Sequence, residues 1–170
     1  GVVNRILREE KGYTYGARTG FRGSKIPGTF RASSSVRTNT TGESVTIFRD
    51  EINKYKQGIS QEDLDFTKNA LIKSNARRFE TQFALLGMLQ EMSIYGLDQD
   101  YIAAEEATVR NMTLDAHKAL ANKYLDTSKM AYLVVGDAQS QYTQFRDMGF
   151  DEVLLLDKEG EEVKLENVKQ

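Results

Sequence analysis

Apolar residues recur at two different periods along this chain, and the changes of period divide it into elements. Val2, Val3, Ile6 and Leu7 fall at helical spacing, and Gly12 stands where a helix ends in a left-handed residue. From Tyr13 the period becomes two: Tyr13, Tyr15, Ala17, Thr19 and Phe21 alternate with Thr14, Gly16, Arg18, Gly20 and Arg22. A turn containing Gly23, Ser24, Pro27 and Gly28 follows, and then Phe30, Ala32, Ser34 and Val36 alternate with Arg31, Ser33, Ser35 and Arg37. The two runs predict a hairpin with one apolar and one basic-polar face.

Helical spacing then returns. Thr40-Thr41-Gly42-Glu43 has the T-x-x-E form of a capping box, and Val45, Phe48, Ile52 and Tyr55 recur behind it until Gly58. Ser60-Gln61-Glu62-Asp63 is a second box of that kind. It opens a long helical stretch through Leu64, Leu71, Phe79, Phe83, Leu86 and Leu89 to about Tyr95, where Gly96 ends it. A shorter helix is expected from Gln99 to Arg110, and another from Thr113 through Leu114, Leu120, Ala121 and Tyr124. Met130 to Val135 is a continuous apolar run closed by Gly136-Asp137, which reads as a strand buried on both faces. A small helix near Tyr142 to Met148, a final strand from Glu152 to Leu156 and a charged tail complete the chain. Strands separated by a block of helices predict an α+β fold, a sheet with helices packed on one face.

With 170 residues the chain fits one domain with a substantial core. A composition of 39% hydrophobic and 28% charged residues with a single proline describes a soluble, helix-rich globular protein. The 23 Lys+Arg against 25 Asp+Glu leave a net charge of -2, so no global field draws the protein to nucleic acid or an anionic membrane, and partners must be recognised locally. Absence of cysteine excludes disulfides and thiolate metal sites but leaves the compartment open, periplasm or cytoplasm. No apolar run reaches the roughly 18 residues of a membrane span. The chain starts at Gly1 without a signal peptide, and a fragment of a longer polypeptide is expected.

Candidate chemistry is constrained mainly by what is missing. Water activation at zinc needs three protein ligands, and this chain has one histidine, His117, with no H-x-x-E-H around it. His117 reads as a structural side chain in the helix after Thr113. No G-x-S-x-G elbow or phosphate-binding glycine motif is present, and Gly16, Gly20 and Gly23 read as bulge, turn or close-approach positions of the hairpin. Arg77-Arg78 and the hairpin residues Arg18, Arg22, Arg31 and Arg37 are the candidate phosphate contacts; with acids spread through the chain, no nucleic-acid partner is expected. The informative segment is Leu7 to Gly16, which crosses from a helix end to a strand. Arg8 and Tyr15 can lean over one sheet edge and present two donors to a peptide carbonyl or the oxyanion it becomes. On pattern alone the alternative is equally open, with Arg8 paired to a nearby Glu and Tyr15 packed in the core.

L-R-E-x-x-G-x-x-Y, from Leu7 to Tyr15, resembles the arginine–tyrosine motif in the C-terminal half of pitrilysin/insulinase-type zinc metallopeptidases, a family that includes the mitochondrial processing peptidase. The hairpin, the helix pair around Gly58-Ile59-Ser60 and the Val134-Val135-Gly136-Asp137 strand end are similar to the family's order along nearly the whole chain. The resemblance implies a processing-peptidase-like half with a ferredoxin-like split fold and an antiparallel or mixed sheet, its first strand expected before Gly1. It implies a single non-zinc-binding domain over residues 1–170, with no catalytic or metal residue of its own. Arg8 and Tyr15 would bind the substrate backbone, while zinc, bound by no residue of this chain, is held in another domain or subunit. A structural or assembly subunit of the same fold is the alternative expectation.

Overall fold

The computed structural model describes residues 1–150, 152–164 and 166, apart from the side chains of Ala76 and Arg78. Its elements, in chain order, are α1 (Val2–Asn4), which continues as a π-helical segment over Arg5–Glu10, β1 (Thr14–Arg22), β2 (Thr29–Val36), α2 (Thr41–Gln57), α3 (Gln61–Asn75), α4 (Gln82–Tyr95), α5 (Tyr101–Arg110), α6 (Leu114–Tyr124) and α7 (Ala138–Asp147). The fold is α+β: among the described residues β1 and β2 form a two-stranded antiparallel sheet accompanied by seven α-helices.

Two compact units divide the chain. The first comprises Gly1–Arg22, Gly28–Asn53 and the chain from Thr127 onward. Among the described residues its buried apolar side chains are Leu7, Ile52 and Phe145, and Leu7 is fully buried. The second comprises Gly23–Pro27 and Lys54–Asp126, with Leu64, Tyr101, Ala121 and Leu125 buried.

Local signals place most helix ends. Gly12 (φ 62°), Gly58 (φ 118°) and Gly96 (φ 66°) adopt the positive φ that side chains other than glycine rarely take, and each follows a helical segment. Ser60 Oγ accepts from Asp63 N at 3.0 Å and donates to Asp63 Oδ2 at 2.7 Å, so Ser60 caps α3 as its sequence predicts, with the Asp63 carboxylate returning to the hydroxyl of Ser60. Thr113 caps α6 by accepting from Ala116 N.

Four expectations need correction. The stretch from Ser60 to Tyr95 is not one helix: a 3-10 turn over Ala76–Phe79 separates α3 from α4, and Thr81 starts α4 afresh by accepting from Ala84 N. The T-x-x-E at Thr40 does not close as a box; a 3-10 turn over Thr38–Thr40 leads into α2, Thr40 Oγ1 donates to Arg37 O, and Glu43 turns elsewhere. Met130 to Val135 belongs to no sheet. Met130, Tyr132 and Val134 are half-buried, Tyr132 against the Phe150 ring at 4.9 Å, while Leu133 and Val135 remain 82% and 92% exposed. An apolar run records a need for burial, and here only one side of it is covered. The fourth is the segment after Glu152, which forms a single antiparallel bridge, Leu156 with Glu162, in place of a strand. Of the candidate arginines outside the hairpin, Arg77 is exposed and the Arg78 side chain lies outside the described residues.

Candidate substrate-binding site

The segment carrying Arg8 and Tyr15 is anchored at both limbs and at its turn. Leu7, fully buried, fixes the helical limb in the core of the first unit. Lys11 N donates to Ile6 O at 2.9 Å in the π-helical pattern, Gly12 reverses the chain, and Tyr13 N donates to Leu7 O at 2.8 Å. Asn4 Oδ1 accepts from Ala17 N at 2.9 Å and ties the helix to β1. Arg8 follows the buried Leu7 by one residue, and Tyr15 follows the pinned Tyr13 by two, so neither backbone position is free to wander.

A β-bulge decides where Tyr15 goes. Thr14 pairs with Val36 and Ala17 with Ser34, so β1 spends one more residue than β2 between these pairs. Hydroxyls fill the irregularity. Thr14 Oγ1 accepts from Gly16 N at 3.0 Å and lies 2.7 Å from Ser35 O, while Ser34 Oγ lies 2.9 Å from Thr14 Oγ1 and 3.0 Å from Gly16 O. Sequence alternation puts Tyr15 on the face of Ala17 and Thr19; the bulge shifts that register, Thr14 becomes half-buried, and Tyr15 stands 99% exposed.

Arg8 is exposed as well. Of the nearby acids, Glu10 pairs with Arg5. Among the described residues neither Arg8 nor Tyr15 makes a hydrogen bond, ion pair or ring contact. The reading in which Arg8 pairs with a glutamate and Tyr15 packs in the core is therefore not what the structure adopts.

Glu43, from the first turn of α2, supports the turn and was not legible in the sequence as a site residue. It accepts from the Tyr13 hydroxyl at 2.6 Å and from Lys11 Nζ at 2.7 Å, and the Arg37 guanidinium lies 5.9 Å from the Tyr13 ring centre. The Lys11 hydrogen bond first, and the Tyr13 bond second, hold the Glu43 carboxyl below its ordinary value of 4.5. Its bond to Glu43 raises Lys11, and the same carboxylate raises Tyr13 by favouring the protonated phenol. A depressed carboxyl contributes stability above its ordinary value and loses it as pH falls through the lowered one. Thermal unfolding of wild type and Glu43→Gln is expected to differ at neutral pH and to converge as pH falls through the lowered value of the Glu43 carboxyl; a difference constant through that fall would show that the charge of Glu43 holds nothing.

His117 has a structural environment in the second unit. Its Nε2 lies 2.6 Å from the Tyr55 hydroxyl, and the rings meet edge to face at 4.9 Å; burial raises the Tyr55 phenol. The chain has one histidine and no cysteine, and among the described residues no group of three or more His, Asp or Glu is placed to hold a metal ion.

The family model of the peptidase M16 inactive domain matches residues 1–71, which span the anchored turn, the bulge, the hairpin and Glu43. A crystal structure of a peptidase M16 inactive domain from Pseudomonas fluorescens is similar to the chain with a TM-score of 0.66 and 26% identity, over 73% of this chain. Over residues 1–71 the chain is similar to the peptidase M16 inactive domain, and its fold agrees with that likeness. It spans 30% of the length of the Pseudomonas fluorescens chain. No curated protein matches it. The M16 match reaches from Gly1 through most of α3, so both Arg8 and Tyr15 lie within it. Among the described residues, no helix is long and apolar enough to cross a membrane.

Proposed function

We infer that this chain is the substrate-holding, non-catalytic half of a zinc metalloendopeptidase, in which Arg8 and Tyr15 grip the peptide backbone. Zinc and its ligands belong to another domain or subunit. The observation that carries this reading is the near-complete exposure of Tyr15 at a bulge, with Arg8 exposed on the same anchored segment and, among the described residues, without a partner. A phenol left in solvent by a bulge that hydroxyls stabilise contributes little to folding, and its use lies in what it can donate to.

Guanidinium and phenol are both hydrogen-bond donors, and a peptide carbonyl is an acceptor in need of two. Held on a rigid turn, such donors lose little freedom when a substrate arrives, and they stabilise negative charge as it develops on the carbonyl oxygen. The Lys11–Tyr13–Glu43 contacts keep the turn in place without occupying Arg8 or Tyr15. The test mixes the zinc-bearing half with this chain or with its Arg8→Ala, Tyr15→Phe variant and follows hydrolysis of a peptide. A slower variant supports the grip. Equal rates would make the chain an assembly subunit of the same fold.

A further inference from the structure

Between Glu10 and Glu43 the chain has no acidic residue but six basic ones, Lys11, Arg18, Arg22, Lys25, Arg31 and Arg37, although the whole protein carries a net charge of -2. The hairpin gathers three of them. Arg18 pairs with Ser33, Gly20 with Arg31 and Arg22 with Thr29, so these six residues share one face of the sheet. Every one of them is exposed. Gly20, directly opposite Arg31, contributes no side chain, and Arg18 and Arg22 are the diagonal neighbours of Arg31, about 7–8 Å away. Among the described residues none of the three guanidiniums has an ion pair, hydrogen bond or ring contact. On the opposite face the Phe21 and Phe30 rings lie 5.1 Å apart.

Three unneutralised guanidiniums on one narrow ribbon call for an anionic partner. We propose that the Arg18–Arg22–Arg31 face docks an extended, acidic polypeptide segment whose carboxylates alternate along its length. Alternate residues of an extended chain lie about 6.6–6.8 Å apart on one side, close to the spacing of the arginines. Each guanidinium presents a fork that fits a carboxylate with two parallel hydrogen bonds. Nucleic acid matches the charge less fully, because Thr29, Ser33 and Gly20 complete the face and no aromatic ring is there on which a base could stack. The inference stands on the charge pattern and the register, independently of the grip assigned to Arg8 and Tyr15.

Fluorescence anisotropy tests it with the 170-residue chain and three labelled probes: a seven-residue peptide alternating Glu and Ser, its Gln-for-Glu analogue, and a single-stranded oligonucleotide of equal charge. The acidic peptide is expected to bind at least tenfold more tightly than its neutral analogue, and more weakly as salt rises. Combined Arg18→Gln, Arg22→Gln and Arg31→Gln is expected to weaken it about tenfold, with the corresponding triple Lys variant falling between the two, because lysine keeps the charge and loses the fork. Matching thermal unfolding of wild type and both variants shows that folding is intact. Equal binding of the acidic and neutral peptides, an unchanged affinity in the Gln variant, or tighter binding of the oligonucleotide would overturn the proposal. Loss of the acidic peptide with Arg8→Ala and Tyr15→Phe but not with the arginine triple would also overturn it, while leaving the grip standing.

Discussion

Removing either donor, Arg8 by Ala or Tyr15 by Phe, is expected to slow peptide cleavage by the assembled peptidase about 100- to 1000-fold. Loss of this size arises when a donor is worth more to the charged intermediate than to the ground-state carbonyl, so the effect should appear in kcat and in kcat/KM alike. The double variant is expected to lose less than the product of the single losses, because donors that hold one oxygen act as a unit. Folding gives no competing explanation: both side chains are exposed and, among the described residues, without partners, and substitutions of that kind alter stability by no more than about 0.5 kcal/mol. Steady-state hydrolysis of a fluorogenic peptide, paired with a thermal melt of each variant, measures both quantities. An unchanged kcat/KM would remove Arg8 and Tyr15 from the substrate site.

Leu7→Ala is expected to cost about 2–5 kcal/mol of stability, the range for truncating a large apolar side chain in a core that relaxes only in part. Leu7 is fully buried, and its neighbour is Arg8. Leu133→Ala removes the same atoms from a side chain that is 82% exposed and should change stability by no more than about 0.5 kcal/mol. Urea unfolding separates the two through their midpoints at constant slope. Equal losses would mean that Leu7 does not anchor the turn.

The parts of the fold visible in the sequence are those whose causes are local. Gly12, Gly58 and Gly96 mark helix ends because the positive φ required there depends on the residue itself. The hairpin was legible because Phe30, Ala32, Ser34 and Val36 alternate, and β2 keeps that alternation with each of them half-buried. What depended on distant residues could not be read. Thr14, Tyr15 and Gly16 continue the alternation without a break, yet the extra residue of β1 is set by pairing with Ser34 and Val36 on the other strand. Gly16 was the one local hint of a bulge.

Glu43 shows the same limit from the other side. Its spacing from Thr40 has the form of a capping box, but Lys11 and Tyr13, some thirty residues earlier, offer its carboxylate a cation and a phenol. Met130 to Val135 was expected to be buried on both faces because hydrophobicity reports a preference without naming what would cover it; Leu133 and Val135 face solvent. The motif itself, Arg8 and Tyr15, was legible as residues, while the exposure that makes them available came only from the fold.

The most direct test of the substrate grip places a photoreactive benzophenone side chain at position 15 and irradiates the chain together with its zinc-bearing half and a slowly cleaved peptide. Adducts mapped to the peptide backbone beside the scissile bond are the predicted result. Contradiction would be a peptide that binds and is cleaved normally while position 15 links only to protein or to nothing.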